Sequence, residues 1–251
     1  MAESMAMSPW MALAWLWLLM TVISLVSGVV MALVCWGVGA SLSEVRFHLG
    51  PPLLTVRLRG VKWSFGFLNT GASVTFEPLG IRRDGTDDNS FLRLALPLRL
   101  IALASTVAGM LLLAVACLSP ERGLAAFTSG FEQVVNVFLA RERVVSFFAL
   151  LRTEGFVPAL GVLSAKLAAL NLLPLPPLTG YMLLRELWLA VWRPQIRSNS
   201  VPAWGMTLVL LLFLGWGYGL YEGLANPNSK EPGLSTMLQE AKRLIGTAAD
   251  P

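Results

Sequence analysis

The chain has 251 residues, of which 55% are hydrophobic and 14% are charged, and its mean hydropathy is +0.66. A soluble domain averages about 25% charged residues, so this composition predicts an integral membrane protein and excludes an ordinary soluble domain. The net charge of +4 comes from basic residues scattered through loops without a run. Such scatter does not support nucleic-acid binding, and contact with the anionic headgroups of the lipid bilayer is a sufficient explanation for it.

The first apolar segment covers residues 10–40. Spanning a bilayer takes about 20 residues, so this segment predicts a first membrane helix. A signal peptide has a basic start and a shorter apolar core. Residues 1–9 contain Glu3 and no basic residue, so we expect the helix to be retained.

Residues 45–80 change from apolar runs to alternating apolar and polar residues. The alternation is clearest in residues 53–59, 61–65 and 72–76, and glycines or an Asn-Thr-Gly turn separate the three stretches. Alternation with a period of two, interrupted by such turns, is typical of strands joined by hairpins. We therefore predict a small antiparallel β-ribbon here.

Three further apolar segments follow, at residues 94–118, 156–173 and 203–221. Between the first two of them the composition is mixed, and residues 131–148 predict an amphipathic helix at the membrane surface. The predicted fold class is therefore an α-helical membrane protein with about four spans and one β-ribbon. Residues 1–225 would form a single membrane domain, followed by a polar tail at 226–251.

The last predicted span carries Gly215, Gly219 and Gly223, each four residues after the one before. Small residues at this spacing lie on one face of a helix and allow another membrane helix to approach closely. We expect this face to pack against a helix and to be a contact surface for a partner.

The third apolar segment runs into a stretch that cannot remain helical. Residues 168–180 read Ala-Ala-Leu-Asn-Leu-Leu-Pro-Leu-Pro-Pro-Leu-Thr-Gly. Proline has no backbone donor and breaks the helical hydrogen-bond ladder. Non-helical backbone at membrane depth persists only where protein or a water-filled cavity covers it. The stretch therefore predicts a broken helix that lines an internal site.

This stretch resembles the Asn-x-x-Pro-x-Pro-x-Leu-Asp-Gly signature of the site-2 proteases, the intramembrane zinc metalloproteases. Asn171, Pro174, Pro176 and Gly180 match the signature, as does Leu178, whereas Thr179 occupies the aspartate position. The family also has a β-ribbon after its first helix, and residues 47–53 resemble the lead-in to that ribbon. The resemblance covers roughly residues 10–221.

The resemblance implies a zinc site, which this chain does not reproduce. In the family, His-Glu-x-x-His on the first helix and the signature aspartate hold the zinc. The chain has one histidine, His48, so the His-Glu-x-x-His motif is absent. Aligning the motif with residues 34–39 places Cys35, Trp36 and Gly39 at its three functional positions. Tryptophan and glycine do not bind metals and Thr179 is a poor ligand, so we expect neither a zinc cofactor nor catalytic residues.

Lys166 lies within the third apolar segment, and an ionisable residue inside a membrane indicates a function by default. It would supply positive charge near the position that zinc takes in the family, or it would snorkel or pair with a carboxylate such as Glu44 or Glu154. Ser164 is two residues away and therefore on another helix face, which does not support a Ser/Lys hydrolase dyad.

The other polar candidates also have two interpretations each. Asn171 would contact a bound peptide, or it would stabilise the helix break. Thr179 would take part in the site, or it would cap a helix that begins at Tyr181. His48 would be an interfacial histidine in a turn, and Cys35 and Cys117 would be buried free thiols.

The favoured function is that of a pseudoprotease which binds a membrane helix or a partner subunit. One alternative is a structural or assembly subunit of a larger membrane complex, and another is an active hydrolase with non-standard chemistry. A small excess of Lys and Arg in the loops on the ribbon side places the ribbon inside the cell and the termini outside. Bacterial relatives of the family have this orientation, so we expect the bacterial inner membrane.

Overall fold

A computed structural model of the protein describes residues 8–47, 50–67, 71–81, 87–192 and 203–225. Predictions about His48 and the tail at 226–251 lie outside these residues. The described helices are α1 (Pro9–Gly37), α2 (Leu96–Leu118), α3 (Pro120–Val135), α4 (Ala140–Thr153), α5 (Phe156–Asn171), α6 (Thr179–Trp192) and α7 (Ala203–Ala225).

Helix α1 has defined signals at both ends. At its start, the Ser8 hydroxyl accepts a hydrogen bond from the Met11 amide at 3.3 Å, which satisfies one of the free amides of the first turn. At its end, Gly39 adopts a φ of +83°. The Gly39 amide donates to the Trp36 carbonyl at 3.0 Å, and the Ala40 amide donates to the Cys35 carbonyl at 2.9 Å. This is a Schellman motif, and it directs the chain from the helix into the sheet.

The sheet has four strands: β1 (Leu42–Arg46), β2 (Leu54–Leu58), β3 (Val61–Phe65) and β4 (Ser73–Phe76), in the order β2-β3-β1-β4. Strands β2, β3 and β4 lie on the three predicted stretches. However, β1 pairs parallel with β3 and antiparallel with β4. The prediction of an antiparallel ribbon was therefore wrong for the central pair, because alternation locates strands without specifying their partners. Strands β5 (Pro78–Ile81) and β6 (Asp87–Asn89) form a separate antiparallel pair.

The structure provides candidates for three of the about four predicted membrane spans. Among the described residues, three helices are long and apolar enough to cross a membrane: Pro9–Gly37, Leu96–Leu118 and Trp204–Ala225. Helix α5 has 16 residues and is therefore about 24 Å long, shorter than the roughly 30 Å of a hydrocarbon core. The predicted helix at 131–148 is two helices, because Asn136 has a non-helical ψ of 79° and ends α3.

The helices pack closely because small residues lie where they cross. Gly109 of α2 faces Ser27 and Val30 of α1, and Gly161 of α5 faces Cys117 and Leu118 of α2. Helices α1, α2 and α5 share one apolar cluster, which includes Leu19, Val107 and Leu160. A second cluster joins the end of α1 to the sheet and to α2. The start of the broken segment after α5 packs against this first cluster through Leu172.

Candidate functional site

The predicted helix break is present between α5 and α6. Helix α5 ends at Asn171, and α6 begins at Thr179. The three prolines that interrupt the helical ladder lie between these residues. The ring of Pro176 is fully buried, and a β-carbon on Gly205 of α7 would overlap it. Protein therefore covers the break at Pro176, as non-helical backbone at membrane depth requires, whereas Pro174 and Pro177 are exposed.

Gly180 allows α6 to start directly against the end of α5. A β-carbon at this position would overlap the carbonyl oxygen of Leu172 and would lie 2.6 Å from that of Leu173. Both obstacles are backbone atoms, so a larger residue would need the two helix ends to separate. Close packing of the two helix ends therefore requires the signature glycine in this chain for steric reasons.

Asn171 and Thr179, the two polar residues of the signature, lie at the ends of these helices. The Asn171 amide donates to the Leu167 carbonyl at 2.9 Å and contacts the Met110 sulfur at 3.8 Å. This engagement favours its role at the helix end. Thr179 is the first residue of α6, so the prediction that it caps a helix starting at Tyr181 was wrong. The Met182 amide donates to the Leu178 carbonyl at 3.2 Å, which starts the helix earlier.

The positions that align with the zinc motif do not form a ligand set. Cys35 is fully buried in the cluster between α1 and the sheet. The ring of Trp36 packs edge-on against Trp63, with 6.2 Å between their centroids. Gly39 lies beyond the helix, in its Schellman cap. The motif needs two ligands one turn apart on a helix, and these residues do not fit a zinc ion. No group of three His, Cys, Asp or Glu within the described ranges is placed to hold a metal.

A buried ion pair near the break was missed by the sequence interpretation. Arg99 Nη1 of α2 lies 2.6 Å from Glu186 Oε2 of α6, and the two side chains are 11% and 7% exposed. The contact lacks the alignment of a hydrogen bond, and Arg99 Nε has no hydrogen-bond partner among the described residues. The available signal was an arginine and a glutamate within apolar segments, but nothing in their spacing indicated that they meet.

The sequence profile of peptidase family M50 matches residues 31–215. The chain belongs to peptidase family M50. The match covers more than half of the chain and includes the end of α1, the sheet and the helix break. The resemblance to the site-2 proteases is thereby confirmed, and with it a membrane protein. None of the curated proteins matches the chain.

Lys166 of this M50 protein has a different partner from those expected. Its Nζ donates to the Ser129 hydroxyl of α3 at 2.7 Å. Glu44, one expected partner, instead contacts Arg46 at 3.1 Å and Lys62 at 3.3 Å. Glu154, the other, makes no ion pair with Lys166 in the part of the chain that the structure describes. Lys166 also lines a cavity between the helices.

The glycines of α7 pack within the M50 chain itself. A β-carbon on Gly215 would lie 2.9 Å from Val137, and one on Gly219 would lie 2.5 Å from Ala140. Gly223 faces Val144 in the same way. The predicted close helix packing is present, but α4 and the short 3₁₀ turn before it cover this face. Within the described residues, this face is therefore occupied by the chain itself.

Proposed function

We propose that this M50 family protein is a pseudoprotease that binds a membrane helix or a partner subunit without cleaving it. The proposal rests on one observation, which is the set of residues that occupy the family's zinc-ligand and catalytic positions in this chain. Among them, Gly39 is a helix cap, Trp36 packs against Trp63, and Thr179 replaces the aspartate. Gly180 and the prolines of the break are nevertheless kept, together with the packing that depends on them.

The chemistry of zinc supports the non-catalytic part of the proposal. A catalytic zinc needs three protein ligands, with a water molecule in the fourth position. Of the aligned positions only Cys35 has a good ligand atom, and apolar residues of α1 and the sheet enclose its thiol. One ligand cannot supply the coordination that activates the water.

Strand β2 is the contact surface that we propose for the partner. It lies at the edge of the sheet, where one side of its backbone pairs with β3 and the other side has no strand beside it among the described residues. Leu54, Val56 and Leu58 lie on one face and are all exposed. An open edge with an apolar face accepts an extended peptide by strand addition. The extended segment that flanks a partner's membrane helix has this chemistry.

The first experiment is purification of the full chain in mild detergent, followed by metal analysis, an intramembrane cleavage assay and identification of co-purifying proteins. We expect substoichiometric zinc, no cleavage and one stoichiometric partner. Val56→Lys should release that partner because it places a charge on the apolar face, whereas Thr55→Lys on the opposite face should retain it. Stoichiometric zinc or cleavage would indicate the active hydrolase instead.

The same experiment also distinguishes the pseudoprotease from the alternative of an assembly subunit. A stoichiometric partner that remains bound in the Val56→Lys variant, and in variants at Asn171 and Thr179, would identify a structural subunit that uses another surface.

The proposed location is a bacterial inner membrane with the sheet in the cytoplasm. Labelling of an Arg59→Cys variant from either side of the membrane tests that orientation, since Arg59 is in the exposed β2–β3 turn.

A further inference from the structure

An apolar cavity of about 610 Å³ lies between α1, α3, α4, α5 and α7. Its wall includes Met20, Leu163, Leu167 and Phe213. The volume lies within the roughly 300–1,000 Å³ of small-molecule sites in proteins. It is separate from the former zinc-motif region, whose residues pack against the sheet.

Two cations line this cavity, and we call the whole site the cationic groove. Lys166 of α5 donates to the Ser129 hydroxyl at 2.7 Å, and Arg143 of α4 belongs to the same lining. None of the lining residues that the structure describes is Asp or Glu. Neither cation forms an ion pair within the described residues. Positive charge beside an apolar wall is costly unless an anion neutralises it.

We propose that the cationic groove binds an anionic phospholipid, with its phosphate at Lys166 and Arg143 and an acyl chain along the apolar wall. Arginine binds phosphate oxygens through paired hydrogen bonds, and lysine contributes a point charge. Basic pockets between membrane helices bind phosphate-bearing headgroups in this way. The ligand supplies both of the properties that the groove selects, a negative charge and a flexible apolar chain.

The chemistry of the cationic groove favours a lipid over a helix. A phospholipid carries its negative charge next to flexible apolar chains, whereas an apolar membrane helix brings no anion to Lys166 and Arg143. The proposal is independent of the pseudoprotease proposal, because strand β2 does not line the groove.

The test uses the full-length protein reconstituted in vesicles of equal parts phosphatidylglycerol and phosphatidylcholine. After extraction in mild detergent, native mass spectrometry measures the lipids that remain bound. We expect selective retention of phosphatidylglycerol. The Lys166→Met/Arg143→Met variant should lower that retention about tenfold or more, given the usual strength of charge-assisted hydrogen bonds. Arg152→Met, at an exposed basic residue of α4, is the matched control and should retain the lipid.

A second pair of variants fills space without removing charge. Gly217 lines the groove, and a β-carbon on it would meet no atom of the described residues within 4 Å. Gly217→Leu should therefore fold and displace the acyl chain. Gly37→Leu adds the same volume at another position with open space and should leave retention unchanged. If the double charge variant fails to fold, Lys166→Arg, which should retain the lipid, and Gly217→Leu decide the outcome.

Three results would overturn the proposal. One is equal retention of phosphatidylcholine and phosphatidylglycerol, which would show that the charges do not select the ligand. Another is wild-type retention in both the double charge variant and Gly217→Leu. The third is thermal stabilisation of the delipidated protein by inorganic phosphate equal to that by the lipid, which would identify a free-phosphate site.

Discussion

Removing Arg99 should destabilise the protein far more than removing an exposed arginine. The Arg99→Met variant leaves Glu186 without its cation in a site where the carboxylate side chain is 7% exposed. Loss of one partner of a buried ion pair costs about 3–5 kcal/mol, because the remaining charge stays desolvated and unpaired. The expected drop in the free energy of unfolding is of this size.

Two comparisons separate a lost ion pair from a general packing defect. Arg46→Met removes a pair of similar length, 3.1 Å, but the arginine is 48% exposed, so the cost should stay below about 1 kcal/mol. The double variant Arg99→Met/Glu186→Met removes both buried charges. It should be within about 1 kcal/mol of the wild type, or more stable, since apolar replacements remove the desolvation penalty of both ions.

Equilibrium unfolding in mild detergent, followed by circular dichroism, measures these proteins together with the single variant Glu186→Met. The coupling energy between positions 99 and 186 comes from the double-mutant cycle. An Arg99→Met cost no larger than that of Arg46→Met would refute the importance of the buried pair. Additive costs in the double variant would show that the two side chains do not stabilise each other.

Three other predictions follow from the backbone and the sheet. Gly180→Ala should destabilise the protein by about 1–3 kcal/mol, because the added β-carbon overlaps Leu172. Gly217→Ala adds a β-carbon in open space within α7 and should stabilise the protein by about 0.5–1 kcal/mol. Thermal unfolding measures both variants, and equal effects would contradict the steric explanation. Arg59 has a φ of +52° in the β2–β3 turn. Arg59→Asn should raise the melting temperature of the protein, because asparagine tolerates this conformation better than arginine. A lower melting temperature would contradict this prediction. Burial raises the pKa of Glu44, but hydrogen bonds from Ser64, Lys62 and Arg46 outweigh it and lower the pKa below 4.5. The ionised Glu44 therefore stabilises the fold above that pH, and this stabilisation is lost as the pH falls further. Glu44→Gln should flatten the acid side of a plot of unfolding free energy against pH.

The sequence predicted features that depend on local chemistry. The prolines after Asn171 required a helix break, and the alternation of residues 53–65 located β2 and β3. The family signature also indicated that Gly180 is special, although its reason, the backbone of Leu172, is visible only in three dimensions. Local signals of this kind act within a few residues, which is why they can be read from a single chain.

Features that depend on long-range pairing were not predictable. The glycine spacing in α7 indicated a close helix neighbour, but the same spacing serves a partner or the chain's own α4 equally well. Arg99 and Glu186 belong to different helices, and no periodic pattern connects them. The cationic groove is lined by residues from five helices. Its shape depends on tertiary packing, which the sequence pattern does not reveal.

The parallel pairing of β1 sets an order of assembly for the sheet. Glu44 is aligned with Lys62, and Val45 is aligned with Val74 on the other side. Strand β1 leaves the ribosome first, directly after α1, but it has no neighbour until the later strands exist. The β2–β3 hairpin forms locally in about 1–10 μs, whereas the central strand must close a longer loop. The sheet is therefore complete only after β4, the last of its four strands in the chain, has been made, and until β3 and β4 exist β1 is joined only to the end of α1.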